Sequence, residues 1–407
     1  MIKNLFKYFS RKKPTPSTTL MMTYNRLPVA FTRGDGIRLW DQNDKEYIDA
    51  LGGIAVCILG HKHPKFTEQM KIAAENVLHT SNLFQIPAQE TIGERICKIS
   101  GMERVFLCNS GTEANEAALK IARKYGNDKG KVEPVVITAN DSFHGRTMGA
   151  MSATGNDSIK QGFTPTLSGF EHVPYNDVAA IKAHTTNPNV VAVMLEPIQG
   201  EAGIIIPDAE YLKEVRQICD ENQWLLIIDE VQSGIGRTGK WCAYQHSEIK
   251  PDIVTFAKAL GNGIPIGACA AHGKAAEVLQ PGNHGTTFGG NPFASTLGSK
   301  VIDIIEEDNL IAHAQKMGQF LIASLKLHLD DNEKVVDIRG QGLMLAIELN
   351  HDYPNLAQIF LDEGLIINIT GGGKVIRLLP PMVIQEDDAN KIAQIISRVI
   401  SSQVMPV

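Results

Sequence analysis

Leu225-Leu226-Ile227-Ile228-Asp229-Glu230-Val231-Gln232 is a continuous apolar run that ends on two acids. An exposed strand alternates polar with apolar residues, whereas an unbroken run of this length fits a strand covered on both faces, as in a parallel sheet. Four more runs have the same texture: Val105–Cys108, Val135–Thr138, Val190–Leu195 and Asp252–Phe256. Helix-like segments alternate with them between about residues 70 and 300, which predicts one largely parallel sheet in an α/β domain.

Outward from that sheet the texture changes. Amphipathic helices are expected over roughly 295–330, interrupted, and over 386–402, with strand-like stretches near 335–349 and 375–379. These predict a smaller α+β domain that the first 60 or so residues join. The expected division is a basic, disordered extension over 1–17, an N-terminal segment over 18–70, a large domain over 71–295 and a small domain over 296–407. Two lobes suit 407 residues, because one hydrophobic core rarely grows that large.

Composition narrows the function. The apolar share is 43% and the charged share 21%, with a net charge of -6, so nucleic acid is not expected as a partner. Six dispersed cysteines form no C-x-x-C pair, which points to a reducing compartment rather than a disulfide framework or a zinc site. No apolar stretch approaches the ~20 residues of a membrane helix. A cytoplasmic location is expected, with an organellar one as the alternative: Lys3, Lys7, Arg11, Lys12 and Lys13 sit in a stretch without acids, read either as a transit segment or as a solvated tail.

Three features at strand ends carry chemistry. After Val105–Cys108 comes Asn109-Ser110-Gly111-Thr112 and a helix from Glu113, with Ala114, Ala117, Ala118, Ile121, Ala122 and Tyr125 on one face. Ser110 and Glu113 have capping-box spacing. Free N–H groups and the dipole at such a helix start suit a phosphate, Gly111 allows close approach and the Thr112 hydroxyl adds a donor; the same motif also serves as a plain helix cap. Asp229, at the end of an apolar run, needs a cation or donors. It either caps a turn or pairs with a protonated ring nitrogen. Lys258 follows Asp252–Phe256 and precedes the Gly-rich Ala259–Gly267; it is either a snorkelling lysine or, with its pKa lowered by desolvation, a nucleophilic amine. Ligands of parallel sheets bind beyond the carboxyl ends of the strands, where all three converge. A phosphate socket, a carboxylate for a ring nitrogen and an imine-forming lysine are what pyridoxal phosphate requires.

From about Thr23 to residue 400 the chain resembles the class III, fold-type-I aminotransferases. The motifs are Leu107–Glu116, Phe143-His144-Gly145-Arg146-Thr147, Glu196–Glu201, Asp229–Gln232 and Thr286–Pro292. The resemblance implies a ping-pong transfer of nitrogen from a small amine to 2-oxoglutarate, with the cofactor held as a Schiff base on Lys258. Carried over, Ser110, Gly111 and Thr112 hold the phosphate, Phe143 stacks on the ring, Asp229 keeps the ring nitrogen protonated and Gln232 lies near the phenolic oxygen, with Glu230 and Val231 also at the cofactor. Arg146, helped by Tyr24, grips the donor carboxylate. Glu201 masks Arg377 until 2-oxoglutarate arrives. Thr287 reaches the phosphate of a partner subunit and Thr286 lies beside the substrate, so a homodimer with sites at the interface is implied.

Related ornithine-using enzymes place an aromatic residue where this chain has Ile54. An apolar residue there favours an acylated nitrogen, which makes N-acetylornithine the expected donor, ahead of succinylornithine, ornithine and 4-aminobutyrate. Cys57 departs from the asparagine expected after Gly52–Val56, which bears on fine specificity. Competing readings are a nicotinamide site at Gly234-Ile235-Gly236-Arg237-Thr238-Gly239, which lacks the strand-to-helix setting of a dinucleotide fingerprint, a metal at His61 and His63, and a non-catalytic, cofactor-binding regulator. Asn140-Asp141-Ser142 and Asn156-Asp157-Ser158 match the glycosylation pattern, an accidental match without a secretion signal.

Overall fold

A computed structural model describes residues 19–402, so the basic stretch and its two readings lie outside the described residues. Seven strands form the large sheet: β1 (Arg104–Cys108), β2 (Val135–Ala139), β3 (Phe170–Val173), β4 (Val190–Leu195), β5 (Leu225–Asp229), β6 (Ile253–Phe256) and β7 (Gly267–Ala271). Their order is β1-β7-β6-β5-β4-β2-β3. Only β7 runs against its neighbours β1 and β6, and every other pair is parallel. The carboxyl ends of β1, β2, β4, β5 and β6 therefore open on one edge.

All five expected strands lie in this sheet, whereas β3 and β7 fall where no strand was expected. The reason β5 reads as one apolar block is visible in its packing. Leu226 and Ile228 join the main core on one face, while Leu225 and Ile227 join a second cluster with Ala117, Ala118 and Ile121 of the helix Gly111–Asp128. The period of two persists, but both faces are dry.

The smaller sheet is antiparallel, in the order Val335–Gln341, Met344–Leu349, Val375–Leu378, Asn368–Thr370. Helices Leu310–Leu329 and Glu386–Ser401 pack together beside it. The expected long helix near 295–330 is two, Pro292–Glu307 and Leu310–Leu329, broken at Asn309, whose φ is 50°. The first of them packs on helices Pro64–Ala74 and Pro87–Ser100 and on the turn at Lys258. Strand Glu46–Asp49 pairs in parallel with Leu365–Ile366, which ties the N-terminal segment to the C-terminal part of the chain. Among the described residues, no helix is long and apolar enough to cross a membrane.

Leu226 has no exposed surface. Leu226→Ala is expected to destabilise the large lobe by roughly 2–5 kcal/mol through the lost contacts and the cavity left behind. Chemical denaturation followed by tryptophan fluorescence measures it, and a loss below ~1 kcal/mol would show that this face of β5 can repack.

Candidate active site

At the end of β1 the chain turns into the helix Gly111–Asp128, and the Ser110 side chain accepts from Glu113 N at 3.3 Å. The reciprocal half of the expected capping box differs. The Glu113 carboxylate reaches one residue further back and accepts from the Asn109 backbone N and Nδ2, both at 2.8 Å. Gly111 admits no side chain, since a Cβ there would stand 2.6 Å from Val231 Cγ1. The first free amides of the helix therefore face a cavity of about 400 Å³ lined by Ser110, Gly111 and Thr112. Thr112 Oγ1 lies 3.1 Å from Thr147 Oγ1.

The period of β5 sends Asp229 to the same face as Leu225 and Ile227, toward that helix, and sends Glu230 to the other. Asp229 is 4% exposed, and three donors hold it. Oδ2 accepts from Asn115 Nδ2 at 2.7 Å and stands 2.8 Å from His144 Nδ1, while Oδ1 accepts from Val231 N at 3.0 Å. Asn115 is fixed in turn, accepting from Thr255 Oγ1 on β6 at 2.7 Å and donating to the His144 carbonyl. Asn115 and His144 were not foreseen as site residues, although both lie inside the quoted motifs. A lone amide among alanines on the helix was the available signal for Asn115.

Lys258 also lines the cavity, with φ 41°, in the left-handed region that side chains disfavour. Burial lowers the pKa of its amine, opposed by Glu201 and reinforced by Arg377. Phe143 lies half-buried in the cavity wall. The Arg146 guanidinium stands 5.8 Å from its ring centroid, and no carboxylate faces that guanidinium within ion-pair distance among the described residues. Glu196, also missed from the sequence, accepts from Phe143 N at 3.0 Å and from Gly200 N at 3.2 Å. Burial pushes its carboxyl up to about 7.

Beyond the lysine, Arg377 is fully buried and donates to Glu201 Oε1 at 2.6 Å, to the Gly200 carbonyl at 3.2 Å and to Gln232 Oε1 at 3.3 Å. Burial opposes ionisation of Glu201, but the guanidinium outweighs it and holds the carboxyl below its usual range. Gln232 Nε2 lies 3.5 Å from the same Glu201 oxygen.

Of the expected residues, the cavity brings together Ser110, Gly111, Thr112, Phe143, Arg146, Asp229, Val231, Gln232 and Lys258. Glu201 and Arg377 adjoin it through Gln232. Glu230, expected at the cofactor, turns away: its carboxylate accepts from Ser233 Oγ at 2.6 Å and Tyr244 N at 2.9 Å, because consecutive residues of a strand face opposite sides. Tyr24 is 69% exposed, beside Arg26. Thr286 contacts Asn109 Nδ2 at 3.3 Å and lines a different cavity with His284 and Gly285, and Thr287 is exposed. Cys57 is kept a thiol, its pKa pushed up to about 11 by burial and the nearby Asp49.

The competing motifs have other occupations. Gly234–Gly239 is a series of turns, not a strand-to-helix junction, and Arg237 within it is buried and bonded to the carbonyls of Leu343 and Pro380. His61 and His63 turn to different carboxylates, Asp49 at 2.8 Å and Asp308 at 3.8 Å.

Residues 20–400 match the family model described as Aminotransferase class-III. The chain is 47% identical over 383 residues to an acetylornithine aminotransferase of Nitrosomonas europaea, covering 94% of this chain and 97% of that one. A solved structure of ornithine aminotransferase from Toxoplasma gondii, with partial occupancy of PLP at its active site, superposes with a TM-score of 0.90 at 33% identity, covering 94% of this chain and 92% of that one. The N-acetylornithine aminotransferase of Stenotrophomonas maltophilia superposes with a TM-score of 0.81 at 34% identity, covering 93% and 97%.

Burial pushes the Glu230 carboxyl up to about 7 from 4.5. Because the folded state keeps this proton after the unfolded chain has released it, stability falls as pH rises from about 4.5 and levels off above about 7. Glu230→Gln is expected to flatten the decline in unfolding free energy over that window, a change of a few kcal/mol at most. Urea titrations at several pH values measure the slope, and an unchanged slope would mean Glu230 ionises as freely folded as unfolded.

Proposed function

The chain belongs to the class-III aminotransferases, and from that premise we propose that it carries the side-chain amino group of N2-acetylornithine to 2-oxoglutarate, a step of arginine biosynthesis. The products are N-acetylglutamate 5-semialdehyde and glutamate, formed in two half-reactions. The cofactor is pyridoxal phosphate, and the residues fit it. A helix start too close to Val231 for any side chain at residue 111 suits the phosphate, the triply held Asp229 suits a ring nitrogen and the buried amine of Lys258 suits the aldehyde. When bound, it withdraws electrons from the amine-bearing carbon of the donor, which makes the proton there acidic.

The protein's own groups do the rest. Lys258 would hold the cofactor through Nζ, and its amine is the base that would take the proton from the donor carbon. Asn115, His144 and Val231 N hold the Asp229 carboxyl in place, where it would pair with the cofactor's protonated ring nitrogen. Phe143, Val231 and Gln232 line the same cavity, where Phe143 would stack on the ring, Val231 would bound it and Gln232 would serve the phenolic oxygen. Ser110, Gly111 and Thr112 take the phosphate together with Thr287 of the partner subunit.

Arg146, unpaired with any carboxylate among the described residues, binds the donor carboxylate with help from Tyr24, since a guanidinium grips a carboxylate in two places. Glu201 masks Arg377 in the first half-reaction and releases it to a carboxylate of 2-oxoglutarate in the second. The observation that carries this reading is the convergence of Lys258, Asp229 and the helix start in one cavity, with a masked arginine beside it. The homodimer is supported by the exposure of Thr287 outside its own cavity and by Leu83, Phe84 and Phe288, each more than 60% exposed. Thr286 then serves the substrate across that interface. Ile54 suits an acylated, uncharged donor nitrogen.

Lys258→Ala is expected to lower kcat by about 10²- to 10⁴-fold or more and to remove the visible absorbance of the holoenzyme; wild-type turnover would refute the assignment. Arg146→Ala should raise the donor KM while leaving the cofactor bound, and loss of cofactor instead would mean that its role is wrong. Initial rates with acetylornithine, succinylornithine, ornithine and 4-aminobutyrate decide the donor. Faster turnover of ornithine than of acetylornithine would overturn the choice.

A further inference from the structure

Gly52, Gly53, Ile54 and Ala55 have φ of 57°, 65°, 66° and 60°, one after another. Four consecutive left-handed residues make a turn that L-amino acids avoid, and the β-branched Ile54 is among the least suited to it. Such a turn persists only where its surroundings over-determine it. Here they do. Asp49 Oδ1 accepts from Leu51 N at 3.0 Å and Gly52 N at 2.8 Å, the Gly52 carbonyl accepts from Val56 N and Cys57 N, and the Leu51 carbonyl accepts from Ile54 N and Ala55 N.

Asp49 is 2% exposed, and its second oxygen is 2.8 Å from His61 Nε2. His61 is itself pinned by two backbone hydrogen bonds with Gly36. The far end of the segment is tied down as well, with Leu59 N donating to Asn262 Oδ1 at 2.9 Å, four residues past Lys258. The segment so fixed carries Val56 into the cavity that holds Lys258 and leaves Ile54 37% exposed two residues before it.

We propose that Asp49 and His61 are positioning residues for the donor, holding the left-handed turn that presents Ile54 and Val56 to the amine substrate. The inference deepens the proposed function and rests on it. A carboxylate with both oxygens engaged fixes two successive amides in one orientation, which sets where the next three side chains point. The second substrate depends less on this turn, because Arg377 grips it from the small sheet. The pair therefore governs donor KM and donor choice, and leaves the proton transfer at Lys258 and the second half-reaction alone.

The test compares wild type, Asp49→Ala, Asp49→Asn and His61→Ala as holoenzymes. A misplacement of about 1 Å costs up to ~10²-fold, so Asp49→Ala should raise the KM for acetylornithine by roughly tenfold or more and lower its preference over ornithine by about fivefold. The 2-oxoglutarate half-reaction and the holoenzyme spectrum should stay within about twofold, since only uniform donor binding is lost. Asp49→Asn keeps an acceptor for both amides and should recover most of the loss. In the cofactor-free protein, the amides of Leu51 and Gly52 should exchange hydrogen about tenfold faster in Asp49→Ala than in wild type, as expected when local structure opens.

Equal losses with donor and 2-oxoglutarate, no rescue by Asn, or unchanged exchange would each overturn the proposal. Should Asp49→Ala not fold, His61→Ala decides, with a smaller shift in the same direction expected and a loss shared by both substrates against it. If wild type does not use acetylornithine, the donor reading fails by itself. The exchange data and the KM split with whichever amine is turned over then still decide the role of Asp49.

Discussion

A carboxylate at the end of a dry strand has no water to stabilise its charge, and Asp229 is in that position at 4% exposure. Three donors from three parts of the chain replace the water: Asn115 from the helix after β1, His144 from the loop after β2, and the backbone of Val231 just beyond β5. Each must arrive within hydrogen-bond distance, which requires that β1, β2 and β5 end at the same height on one edge. The parallel order of the sheet supplies that, and the Asn115 bond from Thr255 on β6 fixes the helix against it. The same edge brings Lys258 into the cavity. The site is thus a consequence of where one buried charge could be tolerated.

Charge balance around that acid extends across the cavity. Lys258 feels Glu201, Arg377, Asp229 and Glu196, and burial still wins and lowers its pKa. A lowered pKa makes more of the neutral amine available, the form a nucleophile and base requires. The left-handed φ of Lys258 is backbone strain where the chain leaves β6 for a tight turn, and such strain persists only where neighbouring packing enforces it. The helix Pro292–Glu307 packs on that turn and Asn262 ties it to Leu59, so the enforcement is present.

Much of this was legible in the sequence, because the five continuous apolar runs are strands of one sheet, and all but β1 are buried on both faces along nearly their whole length. Of the two strands that escaped, β7 did so for a physical reason. β7 is Gly267-Ala268-Cys269-Ala270-Ala271, whose small side chains have little strand preference, and its place comes from antiparallel pairing with β1 and β6. At its start, a Cβ on Gly267 would collide with the Ser110 carbonyl, so smallness there reflects contact with the phosphate turn rather than a loop. Residues at strand ends could be read one by one, but the partners of Asp229 could not, since Asn115 and His144 reach it only through the fold. Glu230 shows the opposite limit. The resemblance placed it at the cofactor beside Asp229, while the period of the strand sends it to the other side of the sheet, to Ser233 and Tyr244.

The two arginines illustrate how one cavity could serve two acids in the proposed reaction. Arg146 stands over the Phe143 ring with no carboxylate partner among the described residues, so in the proposed reaction a donor carboxylate would meet a cation that is already free. Arg377 is wholly buried, and a bare guanidinium there would be costly. Its neutralising partner Glu201 is about one-third exposed at the side chain, so the carboxylate has somewhere to go when displaced, whereas the arginine does not. In the proposed reaction, this asymmetry of burial would make the acid the moving part and the arginine the fixed one. An arriving dicarboxylate would replace one carboxylate by another on an unmoved guanidinium, with Gln232 and the Gly200 carbonyl keeping its orientation throughout.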